Sequence, residues 1–186
     1  MQSNGSMPSP TRTHPGRVRA EQGQNAGRRN TRGVKTRVIA VGKIRERYIE
    51  AALEDFRRRF QRLGNFEELE VAAAHGSDPE RAMREEGERI VRALVPGEPF
   101  WLLDRSGTPL TSVELAQKIT ALADSGATRL SLAIGGAHGA SDTLRARADF
   151  VWSLSPLTFL HEWARAIVVE QLYRAAKIAR NEPYHK

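Results

Sequence analysis

The residues that a hydrophobic core does not account for gather near the end of this chain. Glu170 and Arg174 stand four apart in a helical run, as do His161 and Arg165, so each pair shares a helix face. At about 100° per residue the two pairs point to roughly opposite sides, so one helix can serve a pocket on one flank and a partner on the other. The alternative is a surface salt bridge between Glu170 and Arg174 beside an exposed His161. Pro183-Tyr184-His185 then puts an aromatic and a histidine after a proline with no packing reason to be there, although frayed ends are common. A histidine that titrates near neutrality is a candidate acid or base.

Upstream lie two loops suited to holding a ligand by main chain. Gly135, Gly136 and Gly139 follow an apolar run, where glycine lets the backbone turn sharply and approach a ligand closely. Their spacing is not that of a dinucleotide fold, and a strand-to-helix turn without a ligand is an equal alternative. Ser153-Leu154-Ser155-Pro156-Leu157-Thr158 supplies hydroxyls and amides beside apolar Leu154 and Phe159. Such a loop can hold an adenosine between leucines, or can be a helix N-terminus capped by Thr158. Leu103 to Gly107 is a candidate third wall, since ligands of open α/β sheets gather beyond the carboxyl ends of strands.

The elements that must position these residues alternate. Strands are expected at Arg37–Val41, Phe66–Ala74, Pro99–Leu103, Arg129–Ile134 and Phe150–Trp152. Helices are expected at Lys43–Leu63, Pro79–Val95, Val113–Ala123 and Phe159–Ala179, with a short one after Ser141 or Asp142. Asp78 and Thr111 or Ser112 are the expected caps, and Gly87 looks like a weak point in its helix. The acidic residues Glu67, Glu68 and Glu70 suggest that the second strand lies at an edge. Strict alternation argues for an α/β fold, a mainly parallel sheet with helices on both faces. On the helix that follows the first strand, Arg57, Arg58, Arg59 and Arg62 crowd one face; an ordinary solvated face is the preferred reading, an RNA-facing stripe the alternative.

Of a net charge of +7, six units fall in Met1 to Thr36, which holds seven basic residues and one acidic residue, so the remainder is nearly neutral. Any nucleic-acid surface of the globular part must therefore be a local patch, while the arm would add a salt-sensitive, sequence-independent attraction. Residues 1–36 are read as a disordered basic extension and 37–186 as one domain. An organelle leader would need an apolar helical face that is missing, and a start placed too far upstream would give the same composition. The chain has no cysteine, which excludes disulfides and thiolate metal sites and suits a reducing, cytoplasmic setting. Its apolar runs stop at four residues, far short of the roughly 18 that span a bilayer, so no membrane association is expected. His75 has no second ligand at a metal-binding spacing, and no metal is expected. No P-loop, G-x-S-x-G or H-E-x-x-H motif is present.

Three segments together, IGGAHG, SLSPLTFLHEWAR and VEQLYRAAKIARNEPYHK, resemble the signature of the SPOUT methyltransferases that modify N3 of a pseudouridine in the 23S RNA of the large ribosomal subunit. The resemblance covers Arg37 to Lys186. It implies a C-terminal trefoil knot, an exception to the rule that chains are unknotted, together with a homodimer and bound S-adenosyl-L-methionine. Carried over position by position, the cofactor residues would be Leu103, Gly135 and the loop Leu154, Ser155, Pro156, Leu157, Thr158 and Phe159. The family pattern varies at Ala137 and His138, so His138 receives no role.

The implied reaction moves a methyl group from a sulfonium to an imide nitrogen on ribosomal RNA, in the context of an assembled ribosome. His185 or Glu170 would take the N3 proton, Arg174 would face the developing negative oxygen, and Tyr184 would stack on or hydrogen-bond to the base. His161 and Arg165 would serve binding or dimer contact. Pseudouridine differs from uridine by an extra N1–H, so selectivity implies a buried acceptor that the sequence does not single out. Rival readings are a knotted enzyme acting on transfer RNA, a non-catalytic ribosome-assembly factor of the same fold, and an unknotted nucleotide-binding enzyme.

Overall fold

A computed structural model describes residue 1, residues 33–63 and residues 66–184. Most of the basic extension and His185 lie outside the described residues. The elements run β1 (Lys35–Val41), α1 (Arg47–Gln61), β2 (Phe66–Val71), α2 (Pro79–Ala93), β3 (Phe100–Pro109), α3 (Ser112–Asp124), β4 (Arg129–Ile134), α4 (Asp142–Arg147), β5 (Phe150–Ser153) and α5 (His161–Ala179). The five strands form one sheet in the order β2-β1-β4-β3-β5, and every neighbouring pair is parallel.

Alternation along each strand divides the core in two, because successive side chains leave opposite faces of a sheet. Val38 and Ala40 of β1, Leu130, Leu132 and Ile134 of β4, and Trp101 of β3 pack with Leu53 and Phe60 of α1, Leu115 of α3, and Val168 and Leu172 of α5. Ile39, Val41, Phe100, Leu102 and Ala133 face the other way, onto Ile90 of α2 and Leu144 of α4. A sheet covered on both faces explains why the inner strands read as unbroken apolar runs. Each fully buried leucine, such as Leu102, Leu132 or Leu172, gains roughly 1.5–3 kcal/mol from leaving water.

Several boundaries differ from those expected. β1 starts at Lys35 rather than Arg37, because it is paired on both sides: Thr36 aligns with Phe66 and Leu130, and it is buried. The globular domain therefore reaches into the segment assigned to the extension. β2 ends at Val71 rather than Ala74, since its neighbour β1 turns away at Gly42, where φ is +75°. Its edge position matches its acidic sequence. β3 runs on to Pro109 past a register break: Leu103 and Thr108 both align with Trp152, and the residues between them bulge outward. Gly107 returns so close to β5 that a Cβ there would lie 2.5 Å from the Val151 carbonyl oxygen.

The helix caps follow from local chemistry. Asp78 accepts from the amides of Glu80 and Arg81 ahead of Pro79, and Thr111 with Glu114 forms a reciprocal capping box. Thr158 does not cap α5. The Leu157 amide instead donates to Ser155 Oγ at 3.1 Å, which folds the loop on itself, and the helix begins only at His161. Gly87 is a close-packing point rather than a weakness, because a Cβ there would meet Ser141 Oγ at 3.0 Å and Leu144 Cβ at 3.6 Å, between α2 and α4.

Candidate active site

The carboxyl ends of β3, β4 and β5 open onto one cleft of about 380 Å³. Leu103, the run from Ile134 to Ala140, and Leu154, Ser155, Leu157, Thr158 and Phe159 line it, so both main-chain loops and the third wall converge. Pro156 alone of the anticipated cofactor-binding residues is not part of the lining. The strand order causes this convergence: β3 lies between β4 and β5, so the segments that leave all three emerge side by side.

The glycine turn is as tight as its composition suggests. A Cβ on Gly135 would stand 2.6 Å from the Gly139 carbonyl oxygen, and Gly139, at φ +87°, donates its amide to the Gly136 carbonyl at 3.1 Å. The loop after β5 is tied to the bulge of β3 by Ser153 Oγ, which donates to the Arg105 carbonyl at 3.2 Å. Where the polar rim begins, Arg145 Nη2 donates to Asp104 Oδ2 at 2.7 Å, while the Ser106 amide and hydroxyl donate to Asp104 Oδ1. Burial works to raise the Asp104 carboxyl, but the bonds from Ser106 and Arg145 outweigh it and hold it below the usual range. The hydrogen bond to Asp104 in turn raises the Arg145 guanidinium. Arg145 and Met83 also line this cleft and have no signature in sequence, since the partner of Arg145 is 41 residues away.

The cluster at the other end of α5 is real but separate. Arg174 Nη2 donates to Glu170 Oε1 at 2.5 Å, the Tyr184 hydroxyl donates to the same oxygen at 3.3 Å, and the Arg174 guanidinium lies 4.8 Å from the Tyr184 ring centroid. Burial, followed by the Glu170 charge, pushes the Tyr184 hydroxyl above its ordinary value. None of these three residues is among those lining the cleft of the same chain.

The other helical pair divides. His161 lines the cleft, and its Nδ1 is buried without a partner among the described residues. Arg165, anticipated as a binding or dimer residue, is instead buried. It pairs with Glu68, donates to the Gly42 carbonyl at 3.1 Å and lies 3.5 Å from Glu70, which pins α5 to the edge of the sheet. The arginine stripe of α1 is largely neutralised at home: Arg57 reaches Glu50 at 2.6 Å and Glu68 at 2.5 Å, and Arg59 reaches Asp55 at 2.6 Å. That favours the solvated face over an RNA-binding stripe.

Among the described residues no group of three His, Asp or Glu side chains is placed to hold a metal ion, and no helix is long and apolar enough to cross a membrane. A family model described as "Predicted SPOUT methyltransferase" matches residues 34–185. Three proteins named "Ribosomal RNA large subunit methyltransferase H" are similar along nearly their whole length. The one from Pelobacter propionicus is 42% identical over 152 residues, 82% of this chain and 99% of the relative. The one from Gloeobacter violaceus is 40% identical over 152 residues with the same two coverages, and the one from Desulfitobacterium hafniense 36% over 159 residues, again 82% and 99%. With a five-stranded parallel α/β sheet whose last three strand ends build one cleft, and with likeness of this depth, the chain belongs to the ribosomal RNA large subunit methyltransferase H family of SPOUT methyltransferases.

Proposed function

We propose that this chain is a cytoplasmic methyltransferase that moves a methyl group from S-adenosyl-L-methionine to N3 of a pseudouridine in the 23S RNA of the large ribosomal subunit, acting as a homodimer on the assembled ribosome. The observation that carries this reading is the meeting of Leu103, the Gly135 turn and the Leu154–Phe159 loop around one cleft. Its volume falls in the range of small-molecule sites. Its lining suits the cofactor at both ends: Leu103, Leu154 and Leu157 offer apolar contact for an adenine, and Asp104 with Arg145 offers charge for an amino-acid end. The trefoil knot belongs to the same proposal. The close pass of Gly107 against Val151 and the Ser153 bond to Arg105 support it, since both wrap the β3 bulge around β5.

When bound, the cofactor supplies a methyl group already activated on a sulfonium, which leaves the protein to align the acceptor and manage one proton. With that donor bound, the protein would have to take the N3 proton of the acceptor onto one of its own basic groups. Glu170 already accepts hydrogen bonds from Arg174 and Tyr184, and either it or His185 takes the proton. Arg174 places a permanent cation where the base oxygen gains negative charge, and Tyr184 stacks on the base or bonds to it.

Because this cluster does not reach its own cleft, it acts on the cleft of a second copy. An exposed apolar strip supports the homodimer. Tyr48 and Trp163 lie 5.8 Å apart by ring centroid and are followed by exposed Leu157, Phe159 and Leu160 beside the cleft.

The test is transfer of labelled methyl from the cofactor to ribosomes that carry or lack the pseudouridine. Label at N3 only in the former is expected. Label on transfer RNA instead, or no cofactor binding by calorimetry, would replace this reading with one of its rivals.

A further inference from the structure

Gln171 follows Glu170 directly in α5, and successive side chains of a helix leave its axis about 100° apart, so they do not ordinarily meet. Here they do: Gln171 Nε2 donates to Glu170 Oε2 at 2.6 Å. The amide is held at its other atom as well. The hydroxyl of Ser112, 59 residues away in the first turn of α3, donates to Gln171 Oε1 at 2.7 Å. Ser112, Gln171 and Glu170 are all partly buried where α3 packs on α5.

The order of donors is forced by chemistry. A carboxylate can only accept, so the amide must turn its NH2 group toward Glu170, and that leaves its carbonyl for the Ser112 hydroxyl. With Oε2 engaged in this way, Oε1 is the atom on which Arg174 Nε at 3.0 Å, Arg174 Nη2 at 2.5 Å and the Tyr184 hydroxyl at 3.3 Å converge. Among the described residues no other side chain donates to Oε2. Without Gln171 the carboxylate could turn about its last bond and offer Arg174 either oxygen. The Arg174 side chain is 25% exposed and has room to follow. A charge meant for a transition state must be fixed before the reaction begins.

We infer that Gln171 and Ser112 are positioning residues for the proposed methyl transfer: Ser112 sets the Gln171 amide, the amide sets the Glu170 carboxylate, and the carboxylate sets the Arg174 guanidinium. The inference rests on the function proposed above, in which Arg174 faces the developing negative oxygen. It brings α3 into the reaction, although no residue of that helix touches the base.

The experiment measures labelled methyl transfer to ribosomes carrying the pseudouridine, by the wild type, Gln171→Leu, Ser112→Ala and the double variant, with the unfolding midpoint and the calorimetric cofactor affinity of each. Gln171→Leu keeps much of the side chain without its amide. It should lower kcat by about tenfold, with KM for ribosomes and cofactor affinity unchanged, because the interaction it removes matters only in the transition state. Ser112→Ala releases the amide and should lower kcat by about threefold. In the double variant the loss should equal that of Gln171→Leu alone, since both residues act through one line of hydrogen bonds. A tie that merely joined α3 to α5 would lower the unfolding midpoint and leave kcat as it was. Unchanged kcat in Gln171→Leu overturns the inference, as does a loss confined to KM or a double variant whose losses multiply. Should Gln171→Leu fail to fold, Ser112→Ala decides alone, and an unchanged kcat there overturns the inference. A wild type that transfers no methyl to these ribosomes overturns the proposed function and this inference with it, whereas an active wild type beside an equally active Gln171→Leu overturns the inference alone.

Discussion

The two ends of α5 would serve the proposed chemistry by opposite means. At its start, the cleft is built largely from main chain, with Gly135, Gly139 and the loop after β5 closing around a space whose shape depends on backbone more than on side chains. At its far end, Glu170, Arg174 and Tyr184 form a cluster made wholly of side chains within hydrogen-bond reach of one another. A backbone site tolerates change in most side chains but not the addition of a Cβ where the chain passes close to itself. A side-chain cluster tolerates backbone variation but loses function with a single truncation. The contrast suits the two tasks proposed for them: a cofactor would be gripped at many points, whereas a transition state needs one charge in one place.

That contrast can be broken by loosening α5 as a whole. Arg165 sits between the two ends and ties the helix to Glu68, Glu70 and the Gly42 carbonyl. Arg165→Ala should lower stability by roughly 3–5 kcal/mol, near the lower figure because Arg57 still pairs with Glu68, and it should weaken both sites together. Denaturant unfolding measures the first effect and calorimetry with turnover the second; loss at one site alone would mean that α5 does not act as a unit. Arg174→Ala should cut kcat by about 10²–10³ while cofactor affinity stays unchanged. Normal turnover in that variant would remove the oxyanion role.

Gly135→Ala tests the other end. Its Cβ must push against the Gly139 carbonyl, a strain of about 1–3 kcal/mol that should appear as weaker cofactor binding with the Glu170 cluster intact. Smallest is a pH effect at the rim. Asp104 has a folded pKa below its ordinary value near 3.8, so its contribution to stability is complete above that value and is lost as pH falls through the folded pKa. The melting temperature of Asp104→Asn should therefore trail the wild type by a constant amount at neutral pH, with the gap closing below about pH 3.8. A gap that widened in acid would contradict the assigned hydrogen bonds.

Much of the fold was legible because its signals are local. β4 spans Arg129–Ile134 as expected, Asp78 and Thr111 cap the helices they precede, and the acidic β2 lies at the edge. The boundaries that moved did so for non-local reasons: β1 lengthens because two strands flank it, β3 because β5 pairs with it on both sides of a bulge. Site residues divide in the same way. The main-chain loops announce themselves through glycine, serine and proline, whereas the Arg145–Asp104 and Arg165–Glu68 pairs join residues far apart in the chain. Arg165 read as a functional surface residue because its helical spacing from His161 says which face it shares, but not what that face meets.

By itself, the sequence determined the order and type of the elements, the two turns able to approach a ligand, and the family signature that names the chemistry. These are set by steric and capping preferences within a few residues. Only the tertiary structure decided that three strand ends meet at one cleft, that Arg165 is an anchor, and that the Glu86 carboxylate is buried against Gly136. Burial and pairing are properties of packed neighbours, and those neighbours are chosen by the sheet order rather than by proximity along the chain.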